Sequence, residues 1–142
     1  MRLFIDTWGW LALEDRLERS HENAAQYYNE VRAGSGQILT SNFVLDETIT
    51  RLFRRRPFQE ANRFTRGILS SPFVRVELVT EPRFRQALTL RQRFADKPKI
   101  SFTDLSTMVI MTELNVAKIL TADSHFSQVG MGFQILPGPL EE

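Results

Sequence analysis

Residues 118–126 have the sequence Lys-Ile-Leu-Thr-Ala-Asp-Ser-His-Phe, an apolar run followed closely by an acid. The run predicts a buried strand over Lys118–Thr121, with Asp123 just beyond its end. The N-terminus repeats the pattern, because Leu-Phe-Ile at residues 3–5 precedes Asp6. In an open parallel sheet, ligands bind in the crevice outside the carboxyl ends of the strands. Two strands that each end at an acid therefore predict one acidic site at that edge of a sheet.

The rest of the chain alternates between strand-like and helix-like segments. Further strands are predicted at residues 38–39, 73–79 and 133–136, and helices at about residues 8–13, 20–33, 42–56, 58–69, 81–97 and 102–113. Strands that alternate with helices predict an α/β fold, with a parallel sheet and helices on both of its faces. Apolar and charged residues alternate in the segment 73–79, which predicts one solvated face and hence a strand at the edge of the sheet.

Length and composition indicate the class of protein. With 142 residues, 42% of them hydrophobic and 25% charged, the chain is predicted to form a single globular domain over residues 1–142. It contains no cysteine, which excludes disulfides and thiolate metal ligands. The sequence has no basic N-terminal flank before a long apolar stretch, and no run of roughly 18 apolar residues that could span a membrane. We therefore expect a cytoplasmic protein.

The net charge of +1 conceals an uneven distribution along the chain. Residues 1–50 carry 8 acidic and 4 basic side chains, residues 51–93 carry 11 arginines against 3 glutamates, and residues 94–142 carry 6 acidic and 3 basic side chains. An acidic cluster beside an arginine-rich segment suits a phosphodiester substrate, with a metal at the acids and phosphates at the arginines. For any single arginine, a solvated helical surface is the simpler interpretation.

Four acids are predicted to meet at the carboxyl edge of the sheet. Asp6 and Asp123 follow strands. Asp104 occupies the first turn of a helix that Ser101 can cap, and Glu47 lies one turn into the helix after the second strand. Crowded carboxylates repel one another and are usually neutralised by a hard cation with oxygen ligands. Mg²⁺ or Mn²⁺ fits, because a chain with no cysteine and two histidines has few ligands for zinc.

Each acid also has a purely structural interpretation. Asp104 and Glu47 could favour the positive ends of helix dipoles, and Asp123 could cap the turn before Phe126. For any one acid this interpretation is at least as good as catalysis, but four acids at matching positions favour a shared site. Asp46, beside Glu47, points about 100° away on a helix of about 3.6 residues per turn and is interpreted as a surface acid.

Four segments together resemble a known family. They are residues 3–7 (Leu-Phe-Ile-Asp-Thr), 40–47 (Thr-Ser-Asn-Phe-Val-Leu-Asp-Glu), 101–104 (Ser-Phe-Thr-Asp) and 121–126 (Thr-Ala-Asp-Ser-His-Phe). In this order they resemble PIN-domain ribonucleases, and most of all the VapC-like toxins of bacterial type II toxin–antitoxin pairs. The resemblance implies a three-layer α/β/α sandwich around a parallel sheet, a site for Mg²⁺ or Mn²⁺, and endonucleolytic cleavage of RNA. The expected partners are an RNA substrate, a small antitoxin protein and a second copy of the chain in a homodimer.

The resemblance also implies roles for individual residues. The aspartates would bind the cation directly or through water, and Glu47 would either bind it or orient the attacking water. Neighbouring hydroxyl groups would hold the carboxylates in place. The reaction would be metal-assisted hydrolysis, in which the cation lowers the pKa of bound water and offsets charge on the phosphate. The residues in these positions are the acids Asp6, Glu47, Asp104 and Asp123 and the hydroxyl residues Thr7, Ser101 and Thr121.

Two other groups of conspicuous residues have less specific interpretations. Arg54, Arg55 and Arg56 form a basic run that fits a solvated helix end and a contact with RNA or antitoxin about equally well. His21 and His125 are interpreted as exposed, packing or hydrogen-bonding residues, because the sequence shows neither with a partner at ligand spacing.

Two alternative functions follow from the same residues. The first is a PIN-like module that binds RNA or a protein without cutting, which the intact set of four acids argues against. The second is a phosphoryl-transfer or receiver domain, which would need an acid pair after the first strand and an acceptor aspartate after the middle strand. Asp6 alone follows the first strand, and residues 79–81 contain no aspartate.

Overall fold

A five-stranded parallel sheet forms the centre of the protein. The computed structural model describes residues 1–138, so the last four residues of the predicted domain lie outside the described part. The strands are β1 (Arg2–Ile5), β2 (Gln37–Ser41), β3 (Val74–Glu77), β4 (Lys118–Leu120) and β5 (Gln134–Leu136). They pair in parallel in the order β3-β2-β1-β4-β5. The parallel α/β sheet predicted from the sequence is confirmed.

Seven helices in residues 1–138 connect and cover the strands. They are α1 (Thr7–Glu14), α2 (His21–Ala33), α3 (Asn42–Arg55), α4 (Phe58–Ser70), α5 (Glu81–Arg93), α6 (Phe102–Leu114) and α7 (His125–Gln128). Connections between parallel strands are right-handed, so helices of the two halves of the sheet lie on opposite faces and give a three-layer α/β/α architecture. None of these helices is long and apolar enough to cross a membrane.

The direction in which the chain adds strands reverses between β1 and β4. From β1 the chain adds β2 and β3 on one side, and β4 and β5 lie on the other. Such a reversal opens a crevice at the carboxyl ends of the two central strands, and open α/β sheets bind their ligands there. Asp6 follows β1 and Asp123 follows β4, so both acids lie at this crevice.

Close packing of α1 against the sheet depends on Gly9. A Cβ atom at this position would lie 2.6 Å from the carbonyl oxygen of Leu120 at the end of β4. The neighbouring Trp10 is 2% exposed, and its Nε1 donates a hydrogen bond to Thr40 Oγ1 at 3.1 Å. Gly9 and Trp10 therefore hold the first turn of α1, which Asp6 precedes, close to the ends of the central strands.

The bounds of several elements differ from the sequence-based predictions, among them α5, which ends at Arg93 and not near residue 97. β3 is confined to Val74–Glu77, shorter than the predicted 73–79, and β4 ends at Leu120 before Thr121. The sequence does not predict α7, because a single turn of four residues is too short to show a helical period. These differences leave the order and direction of the predicted strands unchanged.

β3 is an edge strand, as predicted, but its charged face is partly covered. Glu77 is 6% exposed, with its carboxylate 2.8 Å from Arg75 and 3.1 Å from Arg83. Arg83 also forms an ion pair with Glu113 of α6. A buried carboxylate needs such partners, because an unpaired charge away from water is strongly destabilising. The predicted solvated face is therefore wrong at Glu77, which is covered by the side chain of Arg83.

Candidate active site

Asp6 connects the end of β1 to the start of α1. Its Oδ1 accepts a hydrogen bond from the backbone nitrogen of Gly9 at 2.9 Å, so the side chain caps the helix. Its Oδ2 accepts a hydrogen bond from Thr121 Oγ1. The residue is 7% exposed. Each carboxylate oxygen has a second lone pair, so these bonds leave room for a cation.

Thr121 joins the ends of β1 and β4. Besides donating to Asp6, its Oγ1 accepts a hydrogen bond from the backbone nitrogen of Asp123 at 3.0 Å. Asp123 Oδ1 in turn accepts a hydrogen bond from the backbone nitrogen of His125 at 2.8 Å. These bonds fix the position of the Asp123 carboxylate relative to Asp6.

Asp104 reaches the same crevice from α6. Ser101 caps this helix, since its Oγ accepts a hydrogen bond from the backbone nitrogen of Asp104 at 3.0 Å. The side chain of Asp104 is 14% exposed, compared with 33% for Asp123. The cap therefore places Asp104 in the first turn of α6 with its carboxylate turned largely away from solvent.

One cavity of about 410 Å³ brings the predicted site residues together. Glu47 stands at its rim, with a side chain that is 48% exposed and 3.7 Å from Arg51. Asp46, the neighbouring acid, is exposed on the surface of α3. The predicted acids and hydroxyl residues therefore lie around one cavity, and the roles assigned to them from the sequence stay predictions. The cavity is lined by Asp6, Thr7, Trp8, Val44, Glu47, Arg51, Lys99, Ser101, Thr103, Asp104, Thr121, Ala122 and Asp123.

Burial and mutual repulsion make two of the acids hard to ionise. Burial raises the pKa of Asp6 to about 7, although hydrogen bonds from Thr121 and Gly9 oppose the rise. Burial, together with the contact with Asp123, raises the pKa of Asp104 to about 8. A cation beside these carboxylates would favour their charged forms and lower both pKa values.

The three predicted hydroxyl residues contact different partners. Ser101 and Thr121 bond to backbone nitrogens of the acidic segments, and Thr121 also bonds to the Asp6 carboxylate. Thr7 instead lies 3.3 Å from Val44 O and 3.2 Å from Thr48 Oγ1. Thr7 therefore contacts α3, the helix that carries the acid at position 47, and its role at the site stays a prediction.

His125 lies closer to the acids than the sequence interpretation allows. One ligand atom from each of Asp104, Asp123 and His125 lies within 4.8 Å of the others. The interpretation that His125 lacks a partner at ligand spacing is therefore wrong. The signal was present in the sequence as an acid two residues before a histidine at the end of a strand, but such a pair is too common to be specific.

The basic run at residues 54–56 lies at the far end of α3. This helix has 14 residues and a length of about 21 Å, and the acidic cavity is at its N-terminal end. Arg56 lies 2.8 Å from Glu14 and 3.2 Å from Asp15, so its side chain supports the end of α1. Arg54 and Arg55 are exposed, and their contact with RNA or antitoxin stays a prediction.

Two other basic residues line the acidic cavity itself. Arg51 stands one turn after Glu47 on α3, and Lys99 precedes the cap of α6. Both are exposed. Neither residue stands out in the sequence, because other basic residues lie within three positions of each along the chain. Their position suits contacts with phosphates next to the acids.

The raised pKa values predict that the metal-free protein loses stability as the pH rises. Because native Asp6 and Asp104 hold their protons more tightly than in the unfolded chain, the free energy of unfolding should fall from about pH 4 to about pH 8. Each group contributes at most about 1.4 kcal/mol per pH unit. Urea denaturation in EDTA across this range measures the slope.

Asp6→Asn is the matched variant for this pH dependence. Asparagine keeps an oxygen that can cap α1 but has no proton to release, so the slope should be shallower than in the wild type. Equal slopes for the two proteins would show that Asp6 does not titrate in this range.

The fold and the cavity define a class of protein. An open parallel α/β sheet that gathers carboxylates at its switch point has the acidic site of a nuclease-type domain. Residues 3–131 match the PIN domain family. The chain therefore belongs to the PIN domain family.

Relatives of the chain carry the name VapC. The 23S rRNA-specific endonuclease VapC20 of Mycobacterium tuberculosis (strain H37Rv) is 31% identical over 128 residues, which cover 90% of this chain and 94% of that protein. A VapC ribonuclease of Archaeoglobus fulgidus is 27% identical over 136 residues, which cover 93% of this chain and 83% of that protein. The resemblance to VapC-like proteins seen in the sequence is confirmed.

Solved structures have the same fold. The crystal structure of M. tuberculosis VapC20, described as a toxin that cleaves the sarcin–ricin loop, has a TM-score of 0.75 at 31% identity and covers 90% of this chain and 95% of its own. VapBC2 from Rickettsia felis, bound to a DNA fragment from its promoter, has a TM-score of 0.75 at 14% identity and covers 95% and 97%. At 14% identity, the similarity to VapBC2 shows a shared fold and nothing more.

Proposed function

We propose that the protein is an endoribonuclease that hydrolyses RNA phosphodiester bonds with the help of Mg²⁺ or Mn²⁺. The observation that carries this proposal is the convergence of Asp6, Asp104 and Asp123 on one cavity, with Glu47 at its rim. The names of the relatives support RNA as the substrate, since one is a 23S rRNA-specific endonuclease and another a VapC ribonuclease. Ribosomal RNA is therefore the first substrate to test.

The residues of the cavity fit a divalent cation. Carboxylates are the ligands that Mg²⁺ and Mn²⁺ prefer, and burial together with neighbouring carboxylates raises the pKa values of Asp6 and Asp104, an effect that a bound cation would oppose. Asp104 and Asp123 would hold the ion directly, and Asp6 directly or through water. When bound, the ion would lower the pKa of a water molecule and offset the charge of the phosphate.

The surrounding side chains would keep these groups in position. Thr121 holds Asp6 and the backbone of Asp123 together, and Ser101 fixes the turn that carries Asp104. Such supporting hydrogen bonds orient ligands and are typical of metal sites. The exposure of Glu47 at the rim favours the second of its two possible roles, which is to orient the attacking water.

Metal-dependent cleavage is the direct test of the proposed function. The purified protein should cut ribosomal RNA with Mg²⁺ or Mn²⁺ and stop when EDTA is added. Gel analysis of the products, with mapping of their ends, distinguishes internal cuts from trimming. Cleavage that continues at full rate in EDTA would overturn the metal mechanism, whereas tight binding without cleavage would favour a non-catalytic PIN-like module.

Replacing Arg51 and Lys99 together with alanine should weaken RNA binding and its dependence on salt. The acids repel phosphate, and these two cations lie beside them. Each lost phosphate contact should lower the slope of log affinity against log salt by about 0.7 for single-stranded RNA. Fluorescence anisotropy over a salt series measures the slope, with both proteins in an Asp104→Asn background so that RNA stays intact.

The matched control replaces Arg54 and Arg55 with alanine in the same background. It removes the same number of charges from the far end of α3. If this control lowers the slope and the cavity variant does not, RNA runs along the helix end, as the sequence alone allows. Arg56 is left in place because its pairs with Glu14 at 2.8 Å and Asp15 at 3.2 Å are closer than the 3.7 Å contact of the exposed Arg55 with Asp15.

We also propose that the protein is the toxin of a toxin–antitoxin pair, acts in the cytoplasm and forms a homodimer. A cavity of about 920 Å³ between α1, α2 and α4 combines apolar walls with several arginines and suits a segment of an antitoxin protein. The exposed apolar residues Phe84 and Leu88 lie one turn apart on α5 and suit contact with a second copy. Co-expression with the product of a neighbouring short gene, and light scattering of the isolated chain, test the two contacts.

A further inference from the structure

His125 places a ring nitrogen beside the two acids that would hold the cation directly. Its Nδ1 lies 2.9 Å from Asp123 Oδ1 and 3.9 Å from Asp104 Oδ2. One ligand atom from each of the three residues lies within 4.8 Å of the other two. His125, Asp104 and Asp123 therefore place one nitrogen and two carboxylate oxygens around a common point.

The Nδ1 atom has no other use in the described part of the chain. The atom is shielded from solvent and makes no hydrogen bond there, although it lies 2.9 Å from Asp123 Oδ1. Buried polar atoms are normally paired, and an unpaired one at a functional site calls for an explanation such as an ion.

The position of the ring is fixed by its own helix. His125 is the first residue of α7, and its backbone nitrogen is bonded to the Asp123 carboxylate. The next residue, Phe126, is 1% exposed and packs edge to face against Phe133 with ring centroids 5.9 Å apart. The packing of Phe126 and the backbone bond to Asp123 therefore hold the His125 ring next to the acids.

We propose that His125 Nδ1 is a ligand of the divalent cation, together with Asp104 and Asp123. This inference rests on the proposed function, because it assigns a third ligand to the same ion. Bonds of about 2.1 Å to a six-coordinate ion place neighbouring ligand atoms about 3 Å apart and opposite ones about 4.2 Å apart. The 2.9 Å and 3.9 Å distances of Nδ1 lie close to these two values.

A nitrogen ligand changes which ion the site prefers. Imidazole binds Zn²⁺, Ni²⁺ and Fe²⁺ well, whereas Mg²⁺ prefers oxygen; Mn²⁺ accepts both. A site with one nitrogen and two or more carboxylates should therefore favour Mn²⁺ over Mg²⁺. Loss of His125 should reduce this preference while leaving an all-oxygen site that accepts either ion.

Pulsed electron paramagnetic resonance of bound Mn²⁺ tests the nitrogen ligand directly. The metal-free protein is loaded with one equivalent of Mn²⁺, and modulation from a coordinated ring nitrogen is recorded. The chain has two histidines, so His21→Asn leaves His125 as the sole source of an imidazole signal. His21 contacts the carbonyl oxygen of Ala12 and serves as the matched control.

The expected result is a nitrogen signal in the wild type and in His21→Asn that is lost in His125→Asn. Labelling the imidazole rings with ¹⁵N should change the signal in His21→Asn, which identifies the ligand without altering His125. Titration calorimetry should show that His125→Asn weakens Mn²⁺ binding roughly tenfold or more, and Mg²⁺ binding less.

Two results would overturn the inference, and they differ in what they imply for the proposed function. If Mn²⁺ binds to the wild type without a ring-nitrogen signal, His125 is not a ligand and the carboxylate site stands. If neither Mn²⁺ nor Mg²⁺ binds to the wild type, the nitrogen ligand and the metal-dependent nuclease fail together.

Discussion

Asp104→Asn should reduce RNA cleavage by roughly 10³-fold or more, which corresponds to about 4 kcal/mol of transition-state stabilisation. The substitution preserves the shape of the side chain and the backbone bond to Ser101. It removes the charge of an acid that is 14% exposed and beside Asp123, where the cation would bind. The quantity to measure is kcat/KM on a defined RNA at saturating Mn²⁺, because this ratio reports the loss relative to free enzyme and substrate.

Asp46→Asn is the control for this loss of activity. It makes the same chemical change on an exposed position of α3, one residue from Glu47. Its activity should stay within about twofold of the wild type, since surface substitutions away from functional features have small effects. Similar losses in both variants would assign the effect to net charge and not to a site at Asp104.

The same Asp104→Asn variant should be more stable than the wild type in EDTA. Burial and repulsion raise the pKa of Asp104 to about 8, so near that pH the charged form costs folding free energy. Removing it should add about 1 to 2 kcal/mol and raise the melting temperature by several degrees. The wild type should gain about 2.7 kcal/mol from Mn²⁺ at a hundredfold excess over Kd, and the variant much less.

Melting curves of both proteins in EDTA and in Mn²⁺ decide between this behaviour and that of a structural acid. An acid that only stabilised the helix dipole would act in the opposite way. Its loss would cost about 0.3 to 1 kcal/mol with or without metal. The basis for a shared metal site would be removed if Asp104→Asn had a lower melting temperature than the wild type in EDTA and Mn²⁺ did not change the melting temperature of the wild type. Gain of stability with loss of activity is a common trade at functional sites.

The order of strands and the meeting of the acids could be predicted because they depend on local patterns. The apolar runs before Asp6 and Asp123 each mark a strand, and chain direction then places the acids at one edge. The cap at Ser101 follows from its position before a helix, which puts Asp104 in the first turn. None of these inferences requires knowledge of which side chains meet across the fold.

The details that escaped prediction depend on how different elements pack together, even where the elements are neighbours along the chain. Arg83 covers Glu77 from another element, and Arg56 is paired with acids at the end of α1. Lys99 joins the cavity from the loop before α6. The orientation of the His125 ring depends on α7, a single turn whose existence no period in the sequence reveals. Sequence spacing reports neighbours along one element, whereas these contacts are set by packing.

Asp6 has both a structural and a proposed catalytic role, which limits how this position could change in evolution. Its carboxylate caps α1 as well as facing the cavity, whereas the helices that carry Glu47 and Asp104 are capped by Ser41 and Ser101. A lineage that abandoned catalysis could exchange Asp104 freely, but loss of a capping side chain at position 6 would still cost about 1 kcal/mol. Inactive descendants should therefore keep Asp, Asn, Ser or Thr at this position, so an acid there is weaker evidence of activity than an acid at position 104.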